Sequence, residues 1–214
     1  MLNEMFLYYK EHTGEYWEAV MTHISISVMV VLAAIIIGIP LGLMCAKHPK
    51  ISRIISGTVN IMRIIPSLAM MIIMIPLIGI GKVPAVIALM IIAIPPIMIN
   101  TAAGFLSIEP NLYETAAGMG MSRKQIFWKV EAPLALPLII TGIRTSIVET
   151  IASTTIATYI GAGGLGNLVF TGLGMNRTNI LLVGGLSIAF LSIIVDILLA
   201  WAQSAVGRLL GREE

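Results

Sequence analysis

The sequence predicts an all-α, polytopic membrane protein of about five transmembrane helices joined by one cytoplasmic helical loop. Three observations carry that prediction. Hydrophobic residues make up 57% of the 214 residues and charged residues 11%, where an ordinary soluble domain has about a quarter of its residues charged. Uncharged runs cover 24–46, 64–81, 83–108, 150–176 and 178–195, and about 20 apolar residues in helical form cross a bilayer. A single long polar stretch, residues 109–137, interrupts the apolar pattern. Residues 1–214 therefore read as one transmembrane domain, with spans near 22–46, 58–80, 83–106, 134–160 and 178–204.

Residues 1–21 form the segment before the first span. Glu4, Glu11, Glu15 and Glu18 face a single Lys10 there, the reverse of a basic signal-peptide start, so no cleaved signal is expected. Lysine and arginine in short loops favour the cytoplasmic side. Lys47, Lys50 and Arg53, then Arg123, Lys124 and Lys129, then Arg208 and Arg212 fall on one side of a five-span chain, against Lys10, Lys82 and Arg177 on the other. That count puts the N-terminus outside and the C-terminus in the cytoplasm. Tyr8, Tyr9, Tyr16 and Trp17 then fall at the outer interface and Trp201 near the inner one, where amphipathic rings settle.

Several classes are excluded. The net charge of +2, with basic residues scattered between spans, offers no nucleic-acid face. Cys45 is the single cysteine, so no intrachain disulfide forms. His12, His23 and His48 show no ligand spacing, and no metal site is expected. Pro40, Pro66, Pro76, Pro95, Pro96 and Pro137 lie within the apolar runs, where the freed carbonyls must be met by neighbouring helices or polar side chains. Those spans are expected to kink and to pack against protein.

The polar loop, 107–133, reads as two short helices with a tight corner. Pro110 suits a first helical position, Gly120 a left-handed stop, and Ser122 with Gln125 a capping box opening the second helix. Glu114, Ala116 and Gly120, followed by Val130 and Pro133, resemble the E-A-A-x-x-x-G motif with trailing I-x-L-P of permease subunits in ATP-binding-cassette importers. Thr115, Val130 and Ala132 are mild departures from it. The resemblance implies that the corner is a coupling helix docking on a separate ATPase, with Glu114, Ala116, Ala117, Gly118, Gly120, Val130 and Pro133 as coupling residues. Small residues at Ala116, Ala117 and Gly118 would let another protein approach the backbone. The stretch 79-GIGKV-83 lacks the spacing and hydroxyl of a phosphate-binding loop, so the chain is expected to be no enzyme and to hold no cofactor, with ATP and magnesium bound by the partner ATPase.

The stretches 60-NIMRIIPSLAMMIIMIPLIGIGKVPAVIAL-89 and 141-TGIRTSIVETIASTTIATYIGAGGLG-166 are similar to permeases of osmoprotectant importers, which carry glycine betaine, carnitine, choline or related quaternary amines. Methionine importer permeases share the loop but match these stretches less well, which leaves another small solute as the alternative; an ion-coupled transporter or a membrane scaffold is more remote. The resemblance implies a second permease subunit, two ATPases and an extracytoplasmic binding protein, which no part of this chain is expected to supply. Quaternary amines are held by aromatic cages, and the spans offer few aromatics, so cation recognition is expected to lie mainly in that binding protein.

Arg144 and Glu149 lie inside the fourth span, where each charge costs roughly 2.5 to 3.5 kcal/mol if it faces lipid. Five positions turn them about 140° apart on a helix, so their partners are expected on other helices. Arg63, Asn100 and Asp196 are the candidates, and the set either fixes helix packing or lines the pathway.

Finally, 161-GAGGLG-166 has the G-x-G-x-x-G form of a dinucleotide turn. Such a turn must follow a strand and open a helix, with an acidic residue about 20 positions on, and none of these conditions holds. Gly161, Gly163, Gly164, Gly166 and Asn167 are expected instead at the outer end of span four, as an outer gate or binding-protein contact within 161–174, or as a plain flexible loop.

Overall fold

The computed structural model describes residues 2–209, leaving the side chains of Leu2 to Glu4, Ser56, Asn60, Arg63, Val206, Arg208 and Leu209 outside that description. The described chain is built of helices joined by short turns and carries four helices long and apolar enough to cross a membrane, with a fifth, shorter apolar helix.

Helix α1 (Leu2–Glu11) leads into α2 (Thr13–Lys47). The second helix starts well before residue 22, because 13-TGEYWEAVM-21 is rich in good helix formers although too polar to be a span. At 35 residues it is about 52 Å long, more than a bilayer core requires. The N-terminal segment is therefore helical rather than loose.

The expected second span is two helices, α3 (Pro49–Ile64) and α4 (Ser67–Ile78). Pro66 has no N–H and disfavours helical geometry at the residue before it. Ile65 accordingly has φ −71° and ψ 122°, and its N–H turns back to the Met62 carbonyl at 3.3 Å. The apolar run continues across this break, which is why hydropathy reads it as one span.

Helix α5 (Lys82–Leu106) holds the centre of the bundle, with Pro95 and Pro96 buried inside it. After α6 (Pro110–Gly118) and the short α7 (Arg123–Ile126), the chain passes through a π-helical turn, Phe127–Glu131, straight into α8 (Ala132–Thr154). The second loop helix and the fourth span are thus continuous. Pro133 explains the wide turn: it cannot donate to the carbonyl four residues back, and the Ala132 N–H bonds to Phe127, five back. The α-helix ends at Thr154, short of the expected 160, and tightens to a 3-10 turn, Ile156–Ile160. Helices α9 (Gly166–Gly174) and α10 (Thr178–Leu209) complete the chain.

The core is the packing of α2, α5 and α8, and its seams are built from small residues that let backbones approach. A Cβ on Gly42 of α2 would sit 2.6 Å from the Met98 carbonyl and Thr101 Cβ of α5; one on Gly142 of α8 would sit 2.7 Å from Asn100 Cβ and 2.8 Å from the Pro96 carbonyl. Ile26, Val30, Ala34, Ala85, Ala88, Leu89 and Ile97 are fully or almost fully buried along this seam. Within it Ser146 Oγ donates to the Ala93 carbonyl at 2.8 Å, while the fully buried Thr101 Oγ1 has no hydrogen-bond partner. By contrast Ile36, Phe190, Ile197 and Trp201 are exposed, as lipid-facing or partner-facing side chains are.

Candidate functional site

The loop corner is set by local chemistry. Pro110 opens α6 and Gly120 closes it in the left-handed region at φ +78°. Gly120 N–H bonds to the Ala117 carbonyl at 2.9 Å and Met121 N–H to the Ala116 carbonyl at 3.2 Å, the paired bonds of a Schellman cap. Immediately beyond, Ser122 N–H donates to Gln125 Oε1 at 2.8 Å and Gln125 N–H to Ser122 Oγ at 3.4 Å. One helix therefore stops and the next starts within four residues.

Ala116 is 2% exposed, facing the protein, while Glu114, Ala117, Gly118 and Gly120 face outward. Met119 and Trp128 add exposed apolar bulk beside them. The corner is braced from beneath. Phe127 stacks on Phe105 with ring centroids 6.0 Å apart, Lys47 Nζ lies 5.0 Å from the Phe127 ring, and Tyr113 packs against the cluster of Phe105, Ile108, Ala135 and Ile139. Burial, and then the nearby Glu131 carboxylate, raises the Tyr113 phenol above its ordinary pKa, so it stays neutral. Val130 and Pro133 are half-buried in the π-turn and the start of α8. The result is a rigid projection with small residues at its tip.

The polar span residues do not form one cluster. Arg144 turns toward α10, donating from Nε to Asp196 Oδ1 at 2.7 Å and from Nη2 to Oδ2 at 2.9 Å. Glu149, about 1.4 turns further along α8, lines instead a cavity of about 410 Å³ with Ile64, Ile65, Pro66, Ser67, Ile92, Ala152 and Ser153. Asn100 Nδ2 donates to the Pro96 carbonyl of its own helix at 2.8 Å, under Gly142. Arg63 belongs to α3, with its side chain outside the described residues. Among the described residues no group of three or more metal-ligating side chains comes together.

At the end of α8 the chain turns on Gly161 at φ +76°, Gly163 at +81° and Gly164 at +92°. Thr158 Oγ1 donates to the Gly163 carbonyl at 3.2 Å, and the Gly81 N–H donates to the Ile160 carbonyl at 2.6 Å, tying the turn to the start of α5. Gly166 is packed so closely that a Cβ would overlap the Thr155 carbonyl and Thr158 Oγ1. Asn167 is exposed at the start of α9. The segment is thus a set turn followed by a helix packed on α10.

Sequence reasoning missed what lies under this turn. His23 is 0% exposed; its Nε2 donates to the Ile151 carbonyl at 3.0 Å, and Nδ1 faces Gly164, where a Cβ would come to 3.3 Å. A lone histidine in an apolar run gives no signal of that contact. Ser67 and Ser153 were likewise unmarked, because only the helix break brings them to one cavity.

A bundle of long apolar helices carrying few charges, with close-packed glycine seams and one polar projection, defines a multi-pass membrane protein. Residues 38–208 match the family described as binding-protein-dependent transport system inner membrane component, and the chain belongs to that family. It is 37% identical over 205 residues to the glycine betaine/carnitine/choline transport system permease protein OpuCB of Bacillus subtilis (strain 168), covering 96% of this chain and 94% of that one. It is 39% identical over 174 residues to the carnitine transport permease protein OpuCB of Listeria monocytogenes, covering 81% and 80%. In fold it is similar to a chain of the MetNI methionine ABC transporter in inward-facing conformations, with TM-score 0.77, 24% identity and 94% and 98% of the two chains covered. The chain is a multi-pass permease subunit rather than an enzyme, and its family implies a binding protein and a separate ATPase as partners.

Proposed function

We propose that this subunit forms the translocation path of an ATP-binding-cassette importer for quaternary-amine osmoprotectants such as glycine betaine, carnitine or choline. The exposed Gly120 corner carries the coupling part of the reading, since a rigid projection with small residues at its tip suits docking into another protein. The solute class follows from similarity to the relatives named for those solutes over almost the whole chain. In the proposed assembly two permease subunits, alike or different, stand in the lipid bilayer with two ATPases on the cytoplasmic side, which bind ATP and magnesium. Glu114, Ala116, Ala117, Gly118, Gly120, Val130 and Pro133 transmit ATPase closure.

The proposed orientation has the N-terminus outside and the C-terminus in the cytoplasm, following the basic-residue count. The turn at 161–166 with Asn167 then faces outward as a gate or as the seat of the binding protein. The single transmembrane domain serves both ends. ATPase turnover of the reconstituted complex with its binding protein, titrated separately with glycine betaine, carnitine, choline and methionine, tests the solute class. Stimulation by the quaternary amines and not by methionine supports it; stimulation by methionine alone overturns it.

A further inference from the structure

We propose that the cavity holding Glu149 is a transit site for the trimethylammonium group of the solute inside the permease. This rests on the reading above and deepens it. The cavity lies where α3 breaks into α4, bounded on one side by Ile64, Ile65, Pro66 and Ser67, on another by Glu149, Ala152 and Ser153 of α8, and on a third by Ile92 near the middle of the 25-residue α5; it is open on its remaining side, where Ile64 is 79% exposed. That is span depth, where a carboxylate facing lipid would be costly and an aqueous, cation-accepting cavity is its natural setting. A volume of about 410 Å³ accommodates a small amine with water.

The chemistry of the lining selects for charge. Glu149 supplies the anion, the Ser67 and Ser153 hydroxyls supply polar contacts, and Ile64, Ile65, Pro66, Ile92 and Ala152 supply a wall against which methyl groups pack. The lining contains no aromatic ring, so the cation–π contribution that tight quaternary-amine sites use is missing. The site therefore prefers cations while holding them weakly, which suits a station that must release its solute. A structural ion pair with Arg63 is the rival role for Glu149, and it predicts no charge selection at Ser153.

The test uses the permease assembled with its ATPase in proteoliposomes, in a Cys45→Ala background carrying Ser153→Cys. Three thiol reagents are compared: trimethylammonioethyl methanethiosulfonate, the sulfonatoethyl analogue and the neutral methyl compound, each normalised to a free thiol in solution. With Glu149 present, the trimethylammonium reagent is expected to react at least about tenfold faster than the sulfonate, the order of effect of one nearby charge, and choline chloride is expected to slow it. Glu149→Gln is expected to bring the ratio near one, and Glu149→Asp to retain most of it. A ratio unchanged by Glu149→Gln, or a thiol inert to all three reagents, overturns the proposal. If Ser153→Cys does not insert, Ser67→Cys probes the same cavity from α4 by the same criteria. A charge preference without choline protection overturns the quaternary-amine solute while leaving the carboxylate's selection of cations in place.

Discussion

The guanidinium of Arg144 on α8 holds both carboxylate oxygens of Asp196 on α10, at 2.7 and 2.9 Å, and the two side chains remain 32% and 41% exposed. Planar two-point contact of this kind fixes orientation as well as charge. In a spanning segment each partner also removes the cost of leaving the other unpaired.

Removing one partner is therefore expected to harm assembly more than removing both. Asp196→Asn is expected to lower the membrane level to less than about half that of wild type, as an unpaired arginine in a span would, while Arg144→Gln with Asp196→Asn recovers much of it. Quantitative blotting of membrane fractions reads the outcome. Equal levels in single and double variants would show that the pair does not fix α8 against α10.

Gly120 is expected to rank substitutions by their tolerance of left-handed backbone. Asn visits that region routinely, whereas other residues lose about 1 to 2 kcal/mol there and β-branched ones more. Co-purification of the ATPase with the permease should then fall in the order Gly, Asn, Ala, Val, with the permease still inserted. Equal capture across the series would place the docking surface elsewhere.

Two glycines one helix apart make a packing test. A side chain on Gly142 meets Asn100 and Pro96, while one on Gly185 meets nothing within 4 Å. Gly142→Val is expected to destabilise the detergent-solubilised protein by about 1 to 3 kcal/mol, the usual range for overpacking, and Gly185→Ala to leave the melting midpoint unchanged. Similar midpoints for both variants would contradict the close α5–α8 seam.

Asn167, exposed at the start of α9, reports on the outer face. In a Cys45→Ala background, Asn167→Cys labelled with a photoreactive maleimide is expected to crosslink on illumination to the binding protein, and to do so more when ATPase closure is trapped. Crosslinks to the ATPase instead would invert the proposed orientation.

The loop was the most legible part of the molecule because its signals are local. Pro110, Gly120 and the Ser122 and Gln125 pair each dictate backbone within four residues, and the corner forms as they prescribe. Hydropathy located the long spans but not the break at Pro66, since the uncharged run that begins at Ile64 continues straight through it. The 140° turn from Arg144 to Glu149 correctly separated their surroundings. Which helix passes each of them depends on packing far along the chain, so neither the Asp196 pairing nor the Glu149 cavity could be singled out from spacing. At 161-GAGGLG-166 the missing strand ruled out a dinucleotide turn, while the support from His23, more than a hundred residues away, left no mark in the pattern.

The most direct measurement is ATP-driven accumulation of labelled glycine betaine, carnitine and choline in proteoliposomes holding the permease, its ATPase and its binding protein, beside the same preparation with Gly120→Val. Accumulation of at least one of the three by the unaltered protein, lost in the variant at equal incorporation, is the predicted result. No accumulation of any of them, or undiminished accumulation with Gly120→Val, would contradict a quaternary-amine importer coupled through the loop.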